Sequence, residues 1–128
     1  MSGIFKDDTI QLVLKSLDAV VLRQKTIAHN MANINTPGFK RSEVIFEKKL
    51  DQLLNMRGQN HLTSEDIRML EPEVVKVKDT TQRQDGNNVN MEVEISQMTI
   101  NLLLYQSLVQ RLLGEVSNLS YVINGGRG

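Results

Sequence analysis

The stretch Asn90–Asn124, NMEVEISQMTINLLLYQSLVQRLLGEVSNLSYVIN, decides the fold. Apolar residues fall at Met91, Ile95, Met98, Leu102, Tyr105, Val109, Leu112, Val116, Leu119 and Ile123, in steps that alternate four and three. This is a heptad seam with a mean period of about 3.5. A lone straight helix drifts off such a register because its own period is about 3.6. A seam sustained over this length therefore predicts a helix of roughly 50 Å that packs along a partner helix. Leu103, Leu104, Leu108 and Leu113 widen the apolar face, which predicts contacts on more than one side.

The partner is found at the other end of the chain. Asp7, Asp8 and Thr9 suit a helix N-terminus. From there Val13, Leu17, Val20, Gln24, Ile27, Met31 and Ile34 form a second four-three seam, broadened by Ile10, Leu14, Val21 and Ala28. Gln24 is the polar member, and either fixes register or marks a solvated gap. The fold class expected is mainly α. Long N- and C-terminal helices pair as a coiled coil or bundle, parallel or antiparallel, across a short and partly extended middle.

Between the helices the sequence divides into segments 1–40, 41–89 and 90–128. The first ends in a sharp stop. Asn33 and Asn35 compete with the helical backbone, Pro37 biases Thr36 away from it, and Pro37-Gly38 signals a type II turn with Phe39 as an anchor just beyond. In the middle segment Glu43–Asn55 carries a helical apolar face at Ile45, Phe46, Leu50, Leu53 and Leu54, ended by Gly58. Thr63 or Ser64 can cap a short helix through Leu70. Glu73–Asp79 reads as an extended strand in need of a partner, and Thr80–Asn88 as a polar loop. This segment has too little apolar surface to order itself, and is expected to lie on the helices or on neighbouring subunits.

Lysine and arginine balance aspartate and glutamate at 15 each, so no electrostatic footprint for nucleic acid is present. Cysteine is absent, which excludes thiolate chemistry. No apolar run has the length of a membrane span, and Met1–Asp8 lacks the pattern of a cleaved secretory signal. His29 has no ligand-type residue at helical spacing, and His61 has only Glu65. No nucleophile elbow, phosphate loop or paired carboxylates occur, and Gly125–Gly128 is a tail with no helix after it. Asn118-Leu119-Ser120 matches a glycosylation sequon by chance of the seam. Catalysis, a metal, a cofactor and a small-molecule substrate are not expected.

Asn30 followed by Ala32-Asn33-Ile34-Asn35-Thr36-Pro37-Gly38-Phe39-Lys40 resembles the N-terminal signature of the bacterial flagellar axial proteins. Asp85-Gly86-Asn87-Asn88-Val89-Asn90 with Glu92, and Leu104-Tyr105-Gln106 beyond, resemble the second motif of the proximal-rod branch of the basal-body rod protein family. Asn90 and Met91 stand where that branch more usually has an acidic residue and leucine.

The resemblance implies a structural subunit of the rod that crosses the periplasm as a drive shaft. It implies export through the flagellar type III apparatus without signal cleavage. It also implies contact with like subunits, other rod proteins, the basal-body ring and the junction protein at the rod base. On that reading the assembly residues are Asn33, Asn35, Thr36, Pro37, Gly38 and Phe39 of the turn, and Ile95, Met98, Leu102, Tyr105, Val109, Leu112, Val116 and Leu119 of the seam. Without the resemblance, the same helices suit a soluble cytoplasmic coiled-coil adaptor.

Overall fold

A computed structural model describes residues 6–58, 61–78, 83–123 and 125, the side chains of residues 6 and 122 excepted. The start of the polar loop at Thr80–Gln82 and the tail at Gly126–Gly128 lie outside the described residues. Helix α1 spans Lys6–Ala32 and helix α4 spans Met91–Ile123. Between them come β1 (Ser42–Ile45), α2 (Glu47–Arg57), α3 (Ser64–Arg68) and β2 (Glu73–Lys76).

Asn30 near the end of α1 meets Glu94 near the start of α4, while Val20 and Gln24 meet Asn101. The two helices therefore run antiparallel, and theirs is the most extensive contact between elements. Val13, Val20 and Ile27 of the α1 seam are buried, so the heptad reading of that helix marks its inward face. Asp7 and Asp8 lie within its first turn rather than before it, where their negative charge still complements the positive N-terminal end of the helix dipole.

A second face of α1 carries the middle segment. Ala19 packs with Phe46 and Leu70, flanked by Leu12 and Leu50. Polar links fasten the same face: Ser64 donates to Asp8 at 2.6 Å, Arg23 to Glu47 at 2.7 Å, and Lys15 pairs with Glu71. The expectation that this segment orders itself on the helices holds for α1.

The segment itself corrects the helix expected over Glu43–Asn55. Its first residues are strand, and helix α2 starts only at Glu47. β1 pairs antiparallel with β2, Val44 opposite Val74, and so supplies the partner that the extended Glu73–Asp79 stretch lacked. Ser42-Glu43-Val44-Ile45 has too short an alternation to stand out from the helical pattern it runs into. Gly58 closes α2 at φ +76°, donating to Leu54 at 2.7 Å, a backbone that glycine adopts without strain. Thr63 caps α3 in a reciprocal box with Asp66.

Candidate assembly site: two turns tied at the start of the helix pair

The exit of α1 and the entry of α4 come together, so two turns distant in sequence share one network. In the first, the Phe39 amide donates to the Thr36 carbonyl at 3.2 Å, with Gly38 at φ +72°. These are the bond and the sign that a type II turn requires at Thr36-Pro37-Gly38-Phe39. Upstream, Asn33 donates to the His29 carbonyl at 2.8 Å and accepts from the Thr36 hydroxyl at 3.1 Å. A carbonyl left open by the helix end is thereby satisfied. Phe39 is half-buried, edge-on to His29 with ring centroids 5.5 Å apart, and Lys76 lies 5.4 Å from its ring centre.

The second turn holds the first. Gly38 donates its amide to the Asp85 carbonyl at 2.8 Å. Asn87 is fully buried, and its side-chain amide nitrogen reaches the carbonyls of Asn33, Ile34 and Thr36 at 2.9, 3.1 and 2.8 Å. An amide group has two hydrogens, so one is shared between acceptors. Its oxygen accepts from the Val89 amide at 2.7 Å, which sets the side chain's direction. Arg83 also donates to Ile34, and Lys40 to the Gly86 carbonyl. Asn88 joins the turns to the sheet: its oxygen accepts from the Arg41 amide at 2.6 Å, and its nitrogen donates to the Val77 carbonyl at 2.7 Å. Asn90 then caps α4 through Glu92 and Val93 at 3.0 and 3.3 Å. An asparagine is as good a cap as an aspartate.

A buried polar layer lies directly behind. Glu94 has no exposed surface, accepting from Asn30 at 3.0 Å and from Arg41 Nε at 2.8 Å. Asn30, equally buried, pairs with the backbone of Ser42 in both directions, at 2.8 and 2.9 Å. Burial works against the charge of Arg41, but its bonds to Glu94 and Glu43 outweigh it and hold its pKa above the ordinary value. With that sign the contribution of Arg41 is fully present below the unfolded arginine pKa and is lost only as pH rises through the folded value.

Of the six turn residues expected from sequence, Asn33, Thr36, Gly38 and Phe39 bond to the 85–88 turn, and Asn35, Thr36, Pro37 and Gly38 are exposed. The predicted α4 seam divides. Met98, Val109, Leu112 and Leu119 are partly buried, whereas Ile95, Leu102, Tyr105 and Val116 are exposed. The seam is therefore not a single face toward α1. Its missing members are Glu94 and Asn101, buried one heptad apart. That spacing was visible in the sequence, but their polarity hid them. Asn30, Arg41, Asn87 and Asn88 were likewise not among the predicted site residues. Asn30, Asn87 and Asn88 do stand within the two motifs that carry the family resemblance, whereas nothing in the sequence pattern sets Arg41 apart.

Among the described residues of this junction, no side-chain pair has the geometry of a nucleophile and base. The arrangement can join helices, chain turns and strand into one rigid corner. Comparison with known proteins fits that description. The family described as flagella basal body rod protein matches residues 18–40, the second half of α1 and the turn. The flagellar basal body rod protein FlgB of Bacillus subtilis is 33% identical, covering 93% of this chain and 95% of its own length. The protein of the same name from Borrelia hermsii is 33% identical over 76% of this chain and 82% of its own. That of Escherichia coli is 25% identical over 94% and 96%.

Proposed function

The chain belongs to the flagellar basal body rod protein family, and from that premise we propose that it polymerises as a structural subunit of the rod, the drive shaft that carries torque through the periplasm. One observation carries the reading beyond the family: the turns at residues 33–40 and 85–90 are locked to each other by the buried asparagines Asn87 and Asn88. A shaft needs subunits whose helices keep their angle under load. A corner with its carbonyls satisfied by side chains from a distant segment resists opening more than a loop would. Exposed apolar residues along α4, Ile95, Leu102, Tyr105 and Val116, then meet neighbouring subunits.

The other rod proteins, the basal-body ring and the junction protein at the rod base are the partners of this reading. The subunit reaches them through the flagellar type III export apparatus without signal cleavage. Its work is mechanical, with no catalysis.

The test is a strain that lacks this chain and carries an epitope-tagged copy. The tag should co-purify with detergent-extracted basal bodies and restore swimming. Recovery of the tagged protein wholly in soluble lysate, with basal bodies intact, would contradict the proposal.

A further inference from the structure

Two heptad rows run side by side on α4, and the chain turns the more polar one inward. Glu94, Asn101, Leu108 and Glu115 form one row, and all four are buried or partly buried. Ile95, Leu102, Val109 and Val116 form the other, one residue further on. Glu94 and Asn101 are 0% and 3% exposed, whereas Ile95, Leu102 and Val116 are 50%, 54% and 49% exposed. Met91, Met98, Leu112 and Leu119, partly buried, complete a seam of alternating threes and fours with either row.

Adjacent positions on a helix differ by about 100° in direction. Turning α4 on its axis by roughly half of that angle would exchange one row for the other, with no slide along α1. Hydropathy favours the exchange, because isoleucine, leucine and two valines would take the places of two glutamates, an asparagine and a leucine. The opposing surface of α1 is already apolar: Leu14 and Val21, one heptad apart, are exposed. Val20, Val21, Gln24 and Lys25 border, with Leu102 and Tyr105, a space of about 350 Å³. The turn would carry Leu102 into it.

What opposes the turn is polar. Glu94 accepts from Asn30 at 3.0 Å and from Arg41 Nε at 2.8 Å. One heptad on, Asn101 donates to the Val20 carbonyl at 3.0 Å. Swinging Glu94 outward would strip Asn30 and Arg41 of that carboxylate, and a buried group that loses its partner is costly. Asn101 is held on one side only, since its side-chain oxygen is buried with no hydrogen-bond partner among the described residues. An inward asparagine with half of its amide unanswered adds little stability. Polar residues at core positions of paired helices fix alignment at such a cost.

We propose that Glu94 and Asn101 form a rotational lock on α4. They hold the helix in the setting described above against a second one, roughly 50° away, in which Ile95 and Leu102 pack on the Leu14–Val21 side of α1. The lock belongs to the single chain and goes beyond the rod reading without depending on it.

The chain has no cysteine, so an introduced thiol reports one position. Leu102→Cys marks the outer row and Leu108→Cys the inner one. Each is placed in the full-length chain alone, with Glu94→Ala/Asn101→Ala, and with Glu94→Leu/Asn101→Leu. Maleimide labelling is then timed on the purified monomer. The alanine pair removes the lock and leaves little to bury, so α4 should turn. Labelling should slow at position 102 and quicken at position 108, each by roughly tenfold as the population shifts. The leucine pair fills the inward places, so both thiols should label as they do in the otherwise unaltered chain.

Faster labelling at both positions in the alanine pair would mean that α4 has come loose rather than turned, and would overturn the proposal. So would unchanged rates, or the same opposed shifts in the leucine pair. Circular dichroism checks that each variant keeps its helices. If the alanine pair does not, Asn101→Ala alone should shift the two rates in the same opposed directions by less, and no shift there overturns the lock. Absence of the wild-type chain from basal bodies would remove the rod reading and leave this test as it stands.

Discussion

The side-chain amide nitrogen of Asn87 lies 2.8 Å from the carbonyl oxygen of Thr36, a residue 51 positions earlier. The same nitrogen serves Asn33 and Ile34. Asn87→Ala leaves those carbonyls short of a donor and should cost roughly 1–3 kcal/mol. Asn87→Asp should cost more, because it sets a carboxylate against three carbonyl oxygens at the same place. Urea denaturation of the purified chain measures both. Equal stability of the aspartate and alanine variants would contradict the assigned direction of the amide.

Glu94 and Arg41 make a second test. The Glu94 side chain has no exposed surface, and that of Arg41 retains 16%. Removing one partner of a buried pair is strongly destabilising, so Glu94→Ala should lose roughly 3 kcal/mol. Asn30 would lose an acceptor as well. In a double-mutant cycle with Arg41→Ala, the coupling energy should fall within about 0.5–3 kcal/mol. Additive losses would mean that the two side chains act independently.

Gly38 answers a question of backbone alone. Its φ is +72°, and a Cβ built there meets nothing within 4 Å. A substitution therefore meets conformational strain without a clash. Gly38→Ala should cost about 1–2 kcal/mol, Gly38→Val more, and Gly38→Asn the least, since asparagine visits the left-handed region. Thermal melts should rank them asparagine, alanine, valine from most to least stable, and swimming should follow the rank. Wild-type motility for Gly38→Val would count against a role for this turn in assembly.

How far these features could be read in the sequence depended on how local their causes were. Pro37 and Gly38 leave the chain few conformations, so the turn was legible without its surroundings. Val13, Val20 and Ile27 recur at heptad spacing and are buried as that spacing implied. Ile95 and Leu102 recur just as faithfully, yet Glu94 and Asn101 take the inward places. Hydropathy alone does not distinguish a face buried in the same chain from one kept for another. Strand β1 failed for a different reason. Its identity comes from pairing with β2, some thirty residues away by the register of Val44 and Val74, and four residues carry too little pattern of their own.

The division of the α4 seam gives the sharpest prediction. Leu102 is exposed and Leu112 partly buried, although both sit on the same heptad pattern. Leu102→Asp places its charge in water in the monomer, so stability should change by no more than about 0.5 kcal/mol. In an assembled rod the same carboxylate would be buried against a neighbour, at a cost of several kcal/mol unless neutralised. The variant should fold, be secreted, and fail to assemble. Leu112→Asp carries its charge toward the rest of the same chain and should destabilise the monomer before any assembly. Gln110→Asp, exposed and off the seam, is the control and should be mild in both respects. Urea denaturation separates the first two variants, while secreted subunit and swimming report assembly. If Leu102→Asp swims like Gln110→Asp, the exposed half of the seam is not an interface. If Leu102→Asp instead unfolds like Leu112→Asp, that half is needed by the monomer itself.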